Sequence, residues 1–267
     1  MDIAQRLFRQ ITPFVIKAGS IEEAELVKLY CNTYRDMTFA IGNAFCMAAQ
    51  KFGVNGIDAI LHANEGYGRS NIAYPGFVAG PCLEKDAYIL INNMPDCDSK
   101  DFILAARKYN ESLEDMVVKW VESRLGDGKG KRSSKTGGTG EVITVSGMAF
   151  KGQPETSDLR GSSSVYIARK LKDAGFTVNL HDFVASREEM EDLGIGEVYS
   201  ELTDACRNSR LLLILNNHKK YADVLYDKVF SRSERGFAIF DAWRACAELY
   251  YSDDVDICTL GDFNISK

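Results

Sequence analysis

Val142-Ile143-Thr144-Val145, a short apolar run between two glycines, opens the part of the chain that decides the fold. A run of this kind, rich in β-branched residues and bounded by glycine, predicts a buried strand. Similar runs are found at residues 176–180, 211–215, 237–240 and 257–260, and segments with helical patterns separate several of them. Because strands that alternate with helices form parallel sheets, we predict an α/β fold with a Rossmann-like doubly wound parallel sheet at residues 141–267.

Polar residues follow each of the first four predicted strands. They lie at residues 146–151, Asp182, residues 216–218 and residues 241–244. Parallel sheets bind ligands beyond the carboxyl ends of their strands, so these residues are expected to share one rim. The sheet domain is therefore expected to bind a ligand there, and a nucleotide is one candidate.

The chain before the sheet, residues 1–126, is expected to be helical. Ser20-Ile21-Glu22-Glu23 is a capping-box sequence, with Ser20 as the N-cap. The periodicity that follows predicts one helix over residues 20–53, about 48 Å long, which needs a large packing partner. A second long helix is predicted over residues 100–125. The apolar residues that recur along the first helix are Val27, Cys31, Tyr34, Thr38, Ile41, Phe45, Ala48 and Phe52.

Lys28, Asn32 and Asp36 follow one another at four-residue steps on another face of the long helix. Such a triplet is usually a solvated polar stripe. Asparagine is a poor residue for an exposed helix interior, however, and the neighbouring sequence is apolar nearly all round, as in a buried helix. The alternative is a lysine and an asparagine positioned as hydrogen-bond donors, and the spacing leaves both interpretations open.

Residues 75–86, Pro-Gly-Phe-Val-Ala-Gly-Pro-Cys-Leu-Glu-Lys-Asp, hold one cysteine just after a glycine-containing loop. If the chain becomes helical after Pro81, Cys82 and Asp86 lie one turn apart on the same face. A helix N-terminus with a lysine nearby favours the thiolate form, so Cys82 is a candidate nucleophile with Asp86 to transfer a proton. The alternative is a small buried hydrophobic residue in a turn, which the spacing alone slightly favours.

Two further segments carry weaker signals. Arg69 follows a Gly66-Tyr67-Gly68 turn and is either a surface charge, which is favoured, or a phosphate and sugar contact. Residues 127–140 have no apolar side chain and are rich in Gly, Ser and Lys, which predicts a flexible linker between two domains. A basic anion-binding loop is the alternative for this segment.

The composition argues against several classes of protein. The 267 residues carry a net charge of −6 with one short basic stretch, which argues against nucleic-acid binding. Seven cysteines without a Cys-x-x-Cys pair and three scattered histidines argue against a disulfide framework and a structural zinc site. No apolar run is long enough to span a membrane and no signal peptide is evident, so we expect a cytoplasmic protein.

Together these motifs resemble the UDP-glucose/GDP-mannose dehydrogenase family, the NAD-dependent nucleotide-sugar dehydrogenases. Residues 24–32 look like the start of the family's central helix, and residues 77–86 look like its catalytic-cysteine loop. Gly-Met-Ala-Phe-Lys-Gly at 147–152, with Thr-Ser-Asp-Leu-Arg-Gly-Ser at 156–162, looks like the opening of its C-terminal domain. Residues 178–182 look like the second strand of that domain.

The resemblance implies a reaction and a role for each matching residue. The family oxidises a primary alcohol of a nucleotide sugar, usually UDP-linked, to an acid in two hydride transfers to NAD. Cys82 would form a thiohemiacetal and then a thioester, and Lys28 would stabilise an oxyanion. Asn32 and Asp86 would position water and move protons, and Arg160 would approach the NAD phosphates. Substrate contacts would come from Arg69, Phe77, Gly80, Lys85, Phe150 and Lys151.

The resemblance also implies an assembly. The long helix 20–53 would form the core of a homodimer. The sequence contains no Gly-x-Gly-x-x-Gly and begins just before the central helix, so a separate polypeptide or a longer parent protein is expected to supply the NAD-binding domain. Ala79 replaces a common second glycine, and Asp241-Ala242-Trp243-Arg244 departs from the Asp-Gly-Arg of some members.

Three functions are therefore considered from the sequence. The first is a nucleotide-sugar dehydrogenase completed by an NAD-binding domain, and the second is a dimer that binds a nucleotide sugar without oxidising it. The third is cysteine chemistry that does not use NAD. The presence of Lys28, Asn32, Cys82 and Asp86 favours the first two over the third.

Overall fold

The computed structural model of the protein describes residues 3–126, 140–251 and 255–263. Its first part is helical, and the two long helices predicted over residues 20–53 and 100–125 are confirmed. The predicted linker at 127–140 lies outside the described residues except for Gly140, so the domain ranges 1–126, 127–140 and 141–267 stay predictions. The helices of this part are α1 Ile3–Phe8, α2 Ile21–Gln50, α3 Gly56–Asn64, α4 Asp86–Asn92 and α5 Asp98–Leu125.

Among the described residues, six parallel strands form one sheet in the order β3-β2-β1-β4-β5-β6. The predicted doubly wound parallel sheet is confirmed, and its strand order reverses between β1 and β4, where such folds bind ligands. The sequence interpretation missed β3, a three-residue strand in which only Val198 is buried. The strands are β1 Val142–Ser146, β2 Thr177–His181, β3 Glu197–Tyr199, β4 Leu211–Ile214, β5 Ala238–Asp241 and β6 Ile257–Cys258; α6 Ser163–Asp173, α7 Arg187–Asp192, α8 Leu202–Ala205 and α9 Tyr226–Phe230 connect the first five.

The two faces of the sheet pack into different hydrophobic cores. Alternate residues of a strand point to opposite faces, so successive residues of β4 lie in different cores. One face packs against apolar residues of α5, which means that the helical part and the sheet share a core. That core includes Leu113, Val117, Val121, Ile143, Val145, Leu211 and Leu213, and the core on the other face includes Leu212, Ile214, Tyr221, Val229 and Ile239.

The start of α2 is capped by Ser20, as predicted. The Ser20 hydroxyl accepts a hydrogen bond from the Glu23 N–H at 3.1 Å. The Glu23 carboxylate accepts from the N–H of Gly19 at 2.5 Å, so the reciprocal bond of the capping box is shifted to the residue before the N-cap. No helix of the described ranges has the length and apolar character needed to cross a bilayer.

The apolar stripe of α2 faces outward, and no described residue of the chain covers it. Tyr34 is 72% exposed and Phe45 is 54% exposed. The expectation of a helix buried nearly all round is therefore wrong for this chain. On the opposite, buried face, a Cβ on Gly42 would collide with the Ala73 carbonyl, so glycine there lets the chain after α3 pack closely against α2. The face that α2 buries adds Cys46 and Met47 to the hydrophobic core and is otherwise small or polar. Its buried polar residues are Asn32, Thr33, Asp36, Asn43 and Gln50.

Candidate functional site

Cys82 lies in a hydrogen-bonded turn, and α4 begins only at Asp86. The helix start expected directly after Pro81 is therefore corrected. Gly80 has a φ of +99°, and the chain passes through turns before regular helix begins. The Asp86 N–H still donates to the Cys82 carbonyl at 2.9 Å, so the two residues lie one turn apart. Cys82 is exposed, which contradicts the interpretation as a buried hydrophobic residue.

Asp86 is the centre of a charged cluster. It is 3% exposed and accepts hydrogen bonds from Asn32 Nδ2 at 2.5 Å and Lys85 Nζ at 3.0 Å, with Lys28 Nζ at 3.5 Å. Burial opposes ionisation, but the hydrogen bonds from Asn32 and Lys85, with the two lysine charges, hold the pKa of Asp86 below its ordinary value. Asp86 is therefore an ionised carboxylate at neutral pH. The expected donors on α2 do point at one acceptor.

Buried side chains from α2 and α5 hold the two ends of the cysteine loop. Asn43 donates to the Gly76 carbonyl at 3.0 Å and accepts from the Gly76 N–H at 2.8 Å. Arg107 Nη1 donates to the Leu83 carbonyl at 3.1 Å and to Asp36 Oδ1 at 2.7 Å. Burial raises the pKa of the Asp36 carboxyl, and the Arg107 charge opposes that effect. The loop is thus fixed on both sides of Cys82.

A cavity of about 460 Å³ lies between the cysteine loop and the carboxyl rim of the sheet. The loop forms one wall, and the connection from β1 to α6 forms another. Asn216, Asn217 and Trp243, which follow β4 and β5, close a third side. Five of the predicted site residues line this cavity, namely Phe77, Gly80, Cys82, Phe150 and Lys151.

Phe150 packs directly on the cysteine loop at Gly80. A Cβ on Gly80 would lie 2.8 Å from the Phe150 ring, and the Gly80 N–H donates to the Gly161 carbonyl at 2.9 Å. Lys151 Nζ lies 5.2 Å from the centroid of the Phe150 ring. Loop and sheet rim therefore meet at Gly80, and beside Cys82 they present an aromatic face and a cation. Such a wall suits a ligand with a planar ring and negative charge.

Polar residues do lie at the predicted rim, but several of them hold the protein's own backbone. Asp182 accepts from the Ala149 N–H at 2.9 Å, and Asp241 accepts from the Cys246 N–H at 2.8 Å. Asn217 lines the cavity and accepts from the N–H of Gly152 at 2.9 Å, so it also fixes the wall that carries Lys151. Rim carboxylates therefore shape the cavity walls, whereas the asparagines reach the cavity itself.

Ser146 and His181, at the ends of β1 and β2, are buried beneath the rim. Ser146 Oγ lies 2.8 Å from His181 Nδ1 and 2.7 Å from Tyr221 Oη. Burial lowers the pKa of His181 to about 4, so its imidazole is neutral near pH 7. These residues support the sheet ends and do not contact the cavity.

Lys28, Asn32 and Asp86 of the charged cluster are not among the residues that line the cavity, and neither are Arg69, Lys85 and Arg160. Arg69 is exposed in the turn after α3, and Lys85 turns to Asp86. The guanidinium of Arg160 pairs with Asp158 at 2.8 Å, and its side chain is 78% exposed. The ligand contacts assigned to Arg69, Lys85 and Arg160 stay predictions.

Arg35 and Phe39 line the cavity and were missed in the sequence. They follow Asn32 by three and seven positions, which places all three on neighbouring parts of one helix face. That spacing was a usable signal, but it becomes informative only once Asn32 is known to face the cysteine loop. Trp243 was expected at the rim, and its Nε1 donates to the Leu215 carbonyl at 3.0 Å, which fixes the ring over the cavity.

The described residues do not fit a dinucleotide cofactor. The connection between β1 and α6, residues 147–162, carries no Gly-x-Gly-x-x-Gly. A Cβ on Gly147, the first residue of this connection, would lie 2.7 Å from Asn216, so a side chain fills the space in which a dinucleotide approaches such a glycine. No group of three His, Cys, Asp or Glu side chains within the described ranges is placed to hold a metal ion.

Comparison with known proteins identifies the family of the chain. Residues 22–112 match the central domain of the UDP-glucose/GDP-mannose dehydrogenase family, and residues 144–248 match the UDP-binding domain of the same family. The chain belongs to this family. The cysteine loop and α2 fall within the first match, and the wall with Phe150 and Lys151 falls within the second, so the UDP-glucose/GDP-mannose dehydrogenase resemblance found in the motifs is confirmed.

Curated relatives of this dehydrogenase family align with most of the chain. The UDP-N-acetyl-D-mannosamine dehydrogenase of Methanococcus maripaludis is 29% identical over 229 residues, which are 85% of this chain and 49% of that protein. The corresponding protein of Pyrococcus horikoshii is 32% identical over 184 residues, 68% of this chain and 41% of that protein. A UDP-N-acetyl-D-glucosamine 6-dehydrogenase of Pseudomonas aeruginosa is 29% identical over 200 residues, which are 74% of this chain and 45% of that protein. The chain spans about half the length of the curated relatives it matches.

Solved structures of dehydrogenases share the fold. UDP-D-ManNAc dehydrogenase from Pyrococcus horikoshii has a TM-score of 0.78 at 23% identity, covering 98% of this chain and 57% of that one. The UDP-N-acetyl-mannosamine dehydrogenase Cap5O from Staphylococcus aureus has a TM-score of 0.73 at 24% identity, covering 97% and 56%. At these identities the likeness establishes the architecture.

Proposed function

We propose that this chain is the catalytic-cysteine and substrate-binding part of an NAD-dependent dehydrogenase that oxidises the C6 alcohol of a UDP-sugar to the acid. One observation carries the proposal. The exposed Cys82 lines the same cavity as Phe150 and Lys151, and the ionised Asp86 lies one turn away. The names of the aligned relatives, which are dehydrogenases of UDP-N-acetylhexosamines, favour a UDP-linked sugar as substrate.

The residues of the chain suit the covalent part of this reaction. After the alcohol becomes an aldehyde, the Cys82 thiol adds to its carbonyl carbon and gives a thiohemiacetal, whose oxidation leaves a thioester. Water then cleaves the thioester and releases the acid and the free thiol. Lys28 Nζ, 3.5 Å from Asp86, supplies positive charge for the oxyanion. Asn32 and Asp86 position the water, and the Asp86 carboxylate accepts its proton.

Both oxidations need a hydride acceptor, and NAD is the one that the family resemblance implies. Because the described residues do not fit a dinucleotide, we propose that an NAD-binding domain outside these 267 residues supplies it. Arg160 is exposed and is the residue proposed to reach the NAD phosphates of such a domain. Arg69 and Lys85, also exposed, are proposed to contact the substrate in the complete assembly.

The outward stripe of α2 supports the homodimer as part of this function. Val27, Tyr34, Ile41 and Phe45 are between 49% and 72% exposed, and all lie on one face of a helix 30 residues long. A continuous apolar face of this kind marks an interaction surface. We propose that a second copy of the chain covers it.

The test is a complementation assay with the nucleotide sugar. The chain is mixed with the purified NAD-binding domain of a UDP-N-acetylhexosamine dehydrogenase, NAD and a set of UDP-hexoses, and NADH is followed by absorbance. We expect turnover with the unmodified chain and with Cys97→Ser, which removes another exposed thiol, and none with Cys82→Ser. Absence of turnover with every UDP-hexose would overturn the oxidation.

A binding module that does not oxidise its ligand is the second candidate. It is favoured by the observation that the described residues form the cavity walls but do not fit a dinucleotide. Titration calorimetry with the same UDP-hexoses separates the two functions. Binding without turnover in the complemented assay would support the module, and absence of binding would reject both.

A further inference from the structure

Arg107 makes a contact that neither the family resemblance nor the sequence pattern assigned. It is 2% exposed, and its Nη1 donates both to Asp36 Oδ1 at 2.7 Å and to the Leu83 carbonyl at 3.1 Å. Leu83 follows Cys82 directly in the chain. Hydrogen bonds from charged donors are roughly twice as strong as neutral ones, so this carbonyl is held more firmly than a turn alone would hold it.

The contact belongs to a continuous buried network between α2 and α5. Asn110 Nδ2 donates to Asp36 Oδ1 and to the Asp36 carbonyl, each at 2.8 Å, and Asn110 Oδ1 accepts from Asn43 at 2.9 Å. Asn43 in turn makes both backbone bonds of Gly76. The network therefore reaches the loop on both sides of Cys82.

A second attachment lies one helical turn away on α2. Asp36 follows Asn32 by four residues, and Asn32 holds Asp86, where α4 begins. Leu83 and Asp86 are thus both tied to the same face of α2, the first through Arg107 and the second through Asn32. The backbone of the turn that carries Cys82 is therefore held at two points.

The buried charge pair is poorly explained by stability alone. Replacing a buried ion pair by apolar residues is often neutral or stabilising, because both charges lose their hydration on burial. A pair that also binds a backbone carbonyl beside an exposed thiol has a further consequence, since it holds the backbone that carries that thiol. Arg107 itself does not line the cavity, so it cannot touch a ligand there.

We propose that Arg107 is a positioning residue, which acts through the Leu83 carbonyl and Asp36 to direct the Cys82 thiol into the cavity. The consequence for catalysis rests on the proposed function, whereas the effect on the turn is a property of the chain alone. The structural part therefore predicts faster amide exchange at residues 80–86 when the guanidinium is removed. The catalytic part predicts a lower kcat with little change in KM.

The experiment compares Arg107→Met, Arg107→Lys and the double variant Asp36→Asn/Arg107→Met, which removes both charges of the buried pair. Glu111, which also pairs with Arg107, has a side chain that is 41% exposed and keeps its hydrogen bond from Tyr88. Lys119→Met, an exposed position on the same helix, is the matched control. Hydrogen exchange read by mass spectrometry reports on the N–H groups of Glu84, Lys85 and Asp86, which bond within the turn. We expect roughly tenfold faster exchange there in Arg107→Met and in the double variant, with the sheet unchanged, and partial rescue by lysine, which keeps the charge and three donors.

The complemented assay supplies the second readout. We expect kcat to fall about tenfold in the double variant, with KM within about threefold, because cavity contacts to the ligand are kept. Exchange at residues 80–86 no faster than in Lys119→Met would overturn the proposal, as would global unfolding of the double variant or an unchanged kcat. If the unmodified chain shows no turnover, the proposed function fails, and the exchange result still decides whether Arg107 holds the turn.

Discussion

Asn32 Nδ2 lies 2.5 Å from Asp86 Oδ2 and joins the middle of the helical part to the first residue of α4. Both residues are buried, whereas the side chain of Lys28, one turn earlier on the same helix, is 62% exposed. The Asp86 carboxylate is therefore contacted by the Asn32 amide on its buried side and by the Lys28 ammonium on its exposed side. The inner contact holds the start of α4 against α2, and the outer one is open to solvent.

Asn32→Ala is expected to lower the free energy of unfolding by about 1–3 kcal/mol, because the buried Asp86 carboxylate loses a hydrogen bond that water cannot replace. Lys28→Ala is the matched change on the exposed side, and a pair of this kind contributes about 0–1 kcal/mol. Urea unfolding of the two variants at pH 7 measures both. Equal losses would contradict the division into inner and outer contacts.

Gly80→Ala is expected to destabilise the chain and weaken binding of a UDP-sugar. A φ of +99° disfavours any side chain by about 1–2 kcal/mol, and the new Cβ would push on the Phe150 ring. Gly53→Ala is the control, because Gly53 has a φ of +71° but no atom within 4 Å of an added Cβ. Calorimetry should show a loss of affinity in the first variant only. The same affinity in both would mean that Phe150 does not depend on Gly80.

The largely buried carboxyl group of Glu114 on α5 should make the stability of the chain depend on pH. Burial raises the pKa of Glu114 to about 6, above the ordinary value of 4.5. The unfolded chain therefore loses this proton at lower pH than the folded chain does. As pH rises from well below 4.5 to well above 6, the contribution of Glu114 to the free energy of unfolding should fall by about 2 kcal/mol in total.

Glu114→Gln removes this penalty, since glutamine carries no charge to bury. The variant should be more stable than the unmodified chain by up to about 2 kcal/mol at pH 7.5, and about equally stable at pH 4. Urea midpoints at the two pH values give the difference, and Glu122→Gln on the same helix is the control. A gain that is the same at both pH values would count against burial of the charge as the cause.

Tyr34→Glu/Phe45→Glu is expected to shift the chain from dimer to monomer, because two charges would enter the apolar stripe of α2. Tyr67→Glu, at another exposed tyrosine away from α2, should leave the oligomeric state unchanged. Sedimentation equilibrium measures the association of all three proteins. A monomeric unmodified chain would contradict the homodimer, and a dimer that survives both glutamates would place the interface elsewhere.

Much of the architecture could be predicted because its signals are local. A cap at Ser20 with sustained periodicity gives α2, and short apolar runs give five of the six strands in the described ranges. The edge strand β3 was not predicted because it has only one buried residue, Val198, and therefore no apolar run. The outward orientation of the apolar face of α2 was also not predicted. Periodicity identifies an apolar face, but it does not show whether the surface that covers this face belongs to the same chain.

In the candidate site, too, contacts between residues close in sequence could be predicted, whereas contacts between distant residues could not. Cys82 and Asp86 could be paired because they are one turn apart in sequence. Arg107 could not be connected with Asp36, because 71 positions separate them and a lone arginine in an amphipathic helix looks like a surface charge. Contacts between distant parts of the chain determine the shape of the cavity, and the local sequence pattern does not reveal such contacts.

The core that α5 shares with β1 and β4 bears on how the chain unfolds. Because Leu113 and Val117 complete the packing of Ile143 and Leu213, neither part can lose its structure without baring apolar surface on the other. Heating should therefore produce a single cooperative transition in which the cysteine loop and the sheet rim are lost together. A fragment cut to begin at residue 141 would present an uncovered sheet face and tend to aggregate.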